Sequence, residues 1–444
     1  MQSGRRAPGS VPRAPNVRHL EHVNEILVVE VRYNGAVVGA VAPLAGRPGY
    51  YEFEYAPEFV AQGVELAPLK MPARTTVRYS FPTLALDTFH GLPGLLADSL
   101  PDRFGNSLIN EYLSRHGVRV EDITSLQRLL YIGERAMGAL EFEPALAVAK
   151  HEQSAVPLEM ANLVEEARLA LRGEAERVTQ RILDVGSSAG GARAKAVVGF
   201  NPDTGELLSG QFNLPSGFEH WLLKFDGVGD DGRLGMTRGF GRIEYAHYLM
   251  ALDSGITMPP CRLLEESGRA HFMSRRFDRD GNRKLHFLSL CGMQHLDFNM
   301  PSVHSYEQYF RTVLELNLGA EAMAQAFARC AFNIMARNCD DHTKNLAFLM
   351  ERGRWGLAPA YDVSFSHNPA PGKWTRQHQM LLNGKAWNIG RADLLKVAKQ
   401  FDVDAAAQQL GRIAAVLREW PLYAQRAGVH ADDVARISAL QNIV

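Results

Sequence analysis

The 444-residue sequence has almost no net charge: 48 Lys and Arg stand against 49 Asp and Glu, for a formal −1 at pH 7. No global field therefore recruits nucleic acid or an anionic membrane, although local patches remain open. Long apolar runs are missing too, and none reaches the roughly 18 uninterrupted residues of a spanning helix, so no membrane partner is expected. Cysteine is scarce. Cys261, Cys291, Cys330 and Cys339 lack the short spacing of a zinc knuckle or redox pair, and they read as reduced thiols of a cytoplasmic protein. Repeats and low-complexity tracts are absent. Residues 1–22, rich in Arg, Pro, Gly and Ser, contain no signal-peptide core and are expected to be a flexible tail. What is present is apolar material, 46% hydrophobic against 22% charged. That excludes general disorder and suits two or three packed lobes.

Short β-branched and aromatic runs at Ile26–Tyr33, Val37–Val41 and Tyr50–Tyr55 are separated by Asn34-Gly35 and Gly46-Arg47-Pro48-Gly49, which predicts a small antiparallel unit with tight turns. Helices follow over Leu95–His116 and Ser125–Arg135, and a helical connection over Lys150–Arg177. Strands are expected at Ala194–Phe200, His220–Phe225, Cys261–Leu264 and His271–Phe277, with a helix from Arg242 to Leu252. From about Leu288 helices dominate. Between Glu321 and Arg337 the apolar residues recur at helical spacing, which buries that helix. The expected domains are an N-terminal lobe over 23–145, a mixed nucleotide-binding part over 146–290 and a helical catalytic lobe over 291–444, with a cleft between the last two.

The sharpest chemical signal is Asn338-Cys339-Asp340-Asp341-His342-Thr343-Lys344-Asn345, a polar cluster between the buried helix and an apolar strand at Leu346–Met350. Its spacing matches the D-x-x-x-x-N of a kinase catalytic loop, with Asp340 to accept a hydroxyl proton and Asn345 to hold Mg²⁺. Asp341 fails that spacing. His342 reads as a turn cap or as the group that orients Asp340; Lys344 reaches a phosphate or neutralises the two carboxylates. A hairpin through Trp355–Ala358 then leads to Asp362. Pairing of its strands sets Asp362 beside Asn345, and two oxygen donors suit Mg²⁺.

Phosphoryl transfer also needs cations and main-chain donors for the nucleotide phosphates. Lys224 ends an apolar strand, and Glu244, twenty residues on, is its candidate ion-pair partner; the bland alternatives are a snorkelling lysine and a wet helix face. Gly186-Ser187-Ser188-Ala189-Gly190-Gly191-Ala192-Arg193-Ala194-Lys195 supplies a glycine-rich loop before a strand, although it is not a Walker A sequence. Arg275, Arg276 and Arg279 read as an anion site or as a solvated strand edge.

Taken together, Leu100-Pro101-Asp102-Arg103-Phe104-Gly105-Asn106, Gly190–Lys195, Glu244-Tyr245, Arg275–Arg279, Asp340–Asn345 and Tyr361-Asp362 resemble, in order, the motifs of the HipA family, the kinase halves of bacterial type II toxin–antitoxin pairs. The resemblance implies a bilobal α+β fold near the phosphoinositide 3-kinase-like kinases, with a small N-terminal antiparallel β subdomain and a largely helical C-terminal lobe. It implies ATP and Mg²⁺ as cofactors and a protein substrate phosphorylated on serine or threonine, in several members an aminoacyl-tRNA synthetase. It also implies a helix-turn-helix antitoxin, with DNA reached only through it, and autophosphorylation in the phosphate loop, for which Ser188 matches best and Ser187 lies next to it. Ser188, Ala189, Gly190, Gly191 and Lys195 are then the nucleotide-binding loop residues. Two alternatives stand beside the protein kinase: a small-molecule or lipid kinase with the same site, and an antitoxin-bound corepressor with little kinase activity.

Overall fold

The computed structural model describes residues 28–101, 103–144, 158–171, 182, 185–186, 193–228, 239–370 and 374–444. The N-terminal strands form where alternation demanded them: β1 (Val29–Tyr33), β2 (Ala36–Pro43) and β3 (Tyr51–Tyr55). Asn34 and Gly35 both have positive φ, 49° and 78°, as a two-residue hairpin turn requires. Along β3 every second side chain faces inward, so Tyr51, Phe53 and Tyr55 are buried. Two short strands complete this antiparallel sheet, in the order β4-β3-β2-β1-β5: β4 is Arg78–Tyr79 and β5 is Leu140–Glu143.

The helix expected over Leu95–His116 is two, Gly94–Ala97 and Arg103–Arg115. Pro101 lies between them; it has no amide to donate and disfavours helical backbone in the residue before it. The helix at Ser125–Ile132 begins with a capping box, in which the Thr124 and Gln127 side chains satisfy each other's amides.

A second antiparallel sheet follows the order β7-β6-β8-β10-β9, from β6 (Lys195–Phe200), β7 (Leu207–Ser209), β8 (Glu219–Lys224), β9 (Cys261–Glu266) and β10 (Arg269–Arg275). All six residues of β6 are buried. The helix Phe240–Asp253 packs on β10. A β11–β12 ribbon (Arg279–Asp280 and Arg283–Lys284) leads to a third sheet, β13-β14-β15, at His286–Ser289, Ala347–Glu351 and Arg354–Leu357. The helix Gly319–Met335, buried along most of its length, feeds the chain into this sheet.

The arginines at and just after the end of β10 form neither an anion site nor, as a group, a solvated edge. Arg276 and Arg279 are buried against the buried carboxylate of Asp278, at 2.6 and 2.9 Å. The Asp278 carboxylate also accepts the Gly138 amide at 2.7 Å, and Arg279 donates to the carbonyls of Gly138 and Ala136. Burial disfavours the Asp278 charge, yet the two guanidiniums outweigh it and hold the carboxyl well below its usual range. The cluster thus rivets the N-terminal sheet to the second one. Only Arg275 is at the solvated edge, paired with Glu219 at 3.0 Å.

Among the described residues no helix is long and apolar enough to cross a membrane. All four cysteines are free thiols, and three of them are buried.

Candidate active site

Lys224 is the last residue of β8, and its strand partner across the ladder is Lys195, the first residue of β6. Directly opposed residues share a face of the sheet, so two lysines stand together at one end. The Lys224 ammonium lies 2.5 Å from Glu244 Oε1 and also bonds Asp362 Oδ1. It is 5.6 Å from the Phe272 ring centroid. Burial works against the ammonium, but Asp362 and Glu244 more than compensate and raise it above its ordinary range. Burial likewise opposes the Asp362 charge, and the attraction of Lys224 and then Lys195 overrides it, drawing the carboxyl below its usual 3.8.

Two features that carry no motif bring Glu244 to this place. Asp226, two residues beyond Lys224, accepts the amides of Gly239 and Phe240 at 3.0 and 3.1 Å, capping the helix on which Glu244 sits. Strand and helix are thereby pinned at the same point. Gly241 allows the close approach: a Cβ there would fall 2.0 Å from the Ala270 carbonyl oxygen of β10. An aspartate just past a strand, followed by glycine and a helix start, was the available signal for this device.

Opposite the lysines, the helix Gly319–Met335 ends and Arg337 turns into left-handed backbone at φ 59°. Asn338 then donates to Asn333 Oδ1 at 3.0 Å and to the Asp362 carbonyl at 3.1 Å. Asn345 donates to the main-chain carbonyl of Asp340 at 2.8 Å, which closes the loop and leaves its Oδ1 as the acceptor end of the amide. The β14–β15 hairpin forms as expected, with Phe348 opposite Leu357. Asn345 and the residues flanking Asp362, Tyr361 and Val363, line one recess. Asp362 itself is left-handed, φ 51°, a conformation few residues other than Gly, Asn and Asp adopt.

His342 Nε2 is 4.0 Å from Asp340 Oδ1, beyond hydrogen-bond reach, and its ring packs on Phe298. The Lys344 ammonium lies over the same ring, 5.0 Å from its centroid. Among the described residues, the donor to the Asp340 carboxylate is Trp374, whose Nε1 donates to Oδ1 at 2.8 Å.

Asp341 is buried and fully engaged. It accepts from Tyr306 Oη at 2.8 Å, the Gln379 amide at 2.7 Å and His378 Nδ1 at 2.9 Å. Burial opposes a charged His378, but the attraction of Asp341, and next that of Cys339, prevails and pushes the imidazole up to about 10. A group raised in the folded state stabilises fully below its unfolded pKa near 6.5 and loses that contribution as pH climbs through the folded value. Stability is therefore expected to decline between pH 6.5 and 10, and Asp341→Asn should flatten the decline. Urea midpoints at pH 7 and 9.5 check this; parallel declines in both proteins would contradict it.

Comparison with known proteins gives this geometry a context. The HipA N-terminal domain model matches residues 29–143, and the HipA-like C-terminal domain model matches residues 187–420, by itself more than half of the chain. The chain belongs to the HipA family. Among solved structures, it is similar to the HipA toxin–antitoxin complex of Shewanella oneidensis MR-1, containing HipA, HipB and operator DNA. The identity is 16% and the TM-score 0.63, over 93% of this chain and 94% of that one. At that identity the likeness speaks for the HipA fold. The Helicobacter pylori proinflammatory kinase CtkA aligns with half of this chain and 88% of its own at 10% identity, with a TM-score of 0.33, too low to carry an argument. No curated protein sequence matches the chain.

Ser187, Ser188, Ala189, Gly190 and Gly191, the loop residues expected to bind nucleotide, lie outside the described residues, as do residues 1–22 and Asp102. The fit to a divalent ion is read from the donors present. Asp362 already binds a cationic group, the Lys224 ammonium, and Asn345 offers an amide oxygen. No cluster of three or more His, Cys, Asp and Glu forms a metal cage among the described residues. A carboxylate and an amide oxygen without a cage suit Mg²⁺, which keeps waters and phosphate oxygens in its shell.

Proposed function

We propose that this HipA-family chain is a Mg²⁺- and ATP-dependent protein kinase that phosphorylates serine or threonine. The observation that carries this reading is the largely buried Lys224 ammonium between Glu244 and Asp362, with Asp362 bonded through its carbonyl to the loop that holds Asp340 and Asn345 at kinase spacing. Lys224 grips the nucleotide phosphates, with Glu244 holding it in place and Lys195 beside it. Asp362 and Asn345 would hold the metal, which would supply charge neutralisation to the phosphates. The substrate hydroxyl attacks the γ-phosphorus while the bond to the β-phosphate oxygen breaks, and Asp340 accepts the hydroxyl proton.

In this reading residues 23–145 form the N-terminal lobe, 146–290 the nucleotide-binding part and 291–444 the catalytic lobe. The antitoxin partner is a helix-turn-helix protein, and DNA is reached through it; the Shewanella HipA was solved with HipB and operator DNA. One loop serine, Ser188 in preference to its neighbour Ser187, is the autophosphorylation site that switches the enzyme off, and the cellular target is a protein such as an aminoacyl-tRNA synthetase. Phosphoproteomics after brief expression, native chain against Asp340→Ala, tests the reading. New phosphoserine or phosphothreonine sites confined to the native arm support it. An unchanged phosphoproteome with a newly phosphorylated small molecule would favour the metabolite kinase instead.

A further inference from the structure

Beyond the Asp362 turn, residues within 367–368 and 374–379 contact three successive residues of the catalytic loop. His367 Nδ1 and His378 Nε2 approach Cys339 Sγ at 3.9 and 4.0 Å. Trp374 takes Asp340, and His378 with the Gln379 amide takes Asp341. These residues are in turn tied to one another: Gln379 Nε2 donates to the Trp374 carbonyl at 2.6 Å, and the Thr375 carbonyl is bonded by His367 Nδ1 at 3.1 Å and by the Asn368 amide at 3.2 Å. Trp374 therefore sits on a braced turn, and three successive loop residues are held by one stretch of chain.

We propose that Trp374 is the positioning residue of the proton-accepting carboxylate. This rests on the kinase reading above. An unrestrained aspartate rotates about two side-chain torsions, whereas the indole N–H fixes one oxygen and with it the plane of the carboxylate. Trp374 occupies Oδ1 at 2.8 Å. Among the described residues no donor bonds Oδ2, and the Asp340 side chain keeps 35% of its surface exposed. Oδ2 is thus the oxygen presented to the substrate hydroxyl: as the hydroxyl oxygen bonds to the γ-phosphorus, its proton moves to Oδ2 while Oδ1 stays on the indole. A base held at one oxygen reacts through the other in a single orientation, the preorganisation on which rate depends. The same contact admits a rival, in which Trp374 caps the base and blocks it until the segment moves; the two readings differ in the sign of the effect of removing the N–H.

The test uses the full chain, γ-labelled ATP with Mg²⁺, and label incorporated into the chain's own serines. Trp374→Phe keeps a ring without the donor, and β-(3-benzothienyl)alanine placed at 374 keeps the shape of indole with sulfur in place of N–H. Both are expected to lower kcat about tenfold or more, the range for one hydrogen bond to a charged group. KM for ATP and the melting temperature should be unchanged, whereas a merely structural role would move those. If Trp374→Phe fails to fold, the benzothienyl protein decides. Activity equal to or above the unmodified chain in the benzothienyl protein overturns the proposal, and so does a loss confined to KM. Failure of the unmodified chain to transfer label would instead overturn the kinase reading, and that arm is read first.

Discussion

Asp340→Asn is expected to reduce phosphoryl transfer by about 10²–10⁴-fold, the contribution of a positioned general base, while Mg·ATP binding and the melting temperature stay near those of the native chain. Asparagine keeps the shape of the side chain and still offers an oxygen to the Trp374 indole, 2.8 Å away in the native protein. It cannot accept a proton at neutral pH. Because the native side chain is one-third exposed, the change leaves no buried charge unpaired. Label transfer, nucleotide titration and thermal unfolding of the same preparation separate the two effects. A variant retaining native transfer would remove Asp340 from the mechanism, and one that lost nucleotide binding as well would give it a different role.

Lys224→Met is expected to damage stability and activity together. The native ammonium neutralises Glu244, which is 4% exposed, and bonds Asp362 on its other side. Methionine fills much of the same volume but leaves both carboxylates without that counter-ion, with Lys195 of β6 as the nearby lysine that remains among the described residues. Removing one member of a buried pair costs about 3–5 kcal/mol, chiefly through the charge left behind. A double variant, Lys224→Met with Glu244→Gln, should recover most of that stability, because it removes the orphaned charge. It should not recover phosphoryl transfer, since no cation then grips the phosphates. Denaturant unfolding of the single and double variants measures the coupling. A single variant as stable as the native chain would mean that the ion pair is not the anchor described here.

Much of this site was legible because its parts are local in sequence. Asp340 and Asn345 belong to one short loop between a helix and a strand whose apolar patterns are plain, and the hairpin that returns the chain to Asp362 is a simple pairing. Lys224 and Glu244 fell within reach through a strand and the helix after it. Trp374 lies 34 residues from Asp340, and an indole outside any periodic element gives no sign of its partner. The Asp278 cluster joins positions 140 residues apart; in sequence its arginines resemble any solvated turn. Asp226 offered only the faint signal of an aspartate just past a strand, since its capping bond forms only once β8 and the helix Phe240–Asp253 have docked. The short strands β4, β5 and β13 have two to four residues each, too few for a period, and their strand character comes from the partners they pair with.

The most direct measurement is a calorimetric titration of ATP into the full chain with Mg²⁺ and with EDTA, repeated on Asp362→Ala. The account predicts saturable binding that depends on Mg²⁺ in the native chain and is strongly weakened in the variant. No binding by the native chain with Mg²⁺ present, or equal binding by Asp362→Ala, would contradict it.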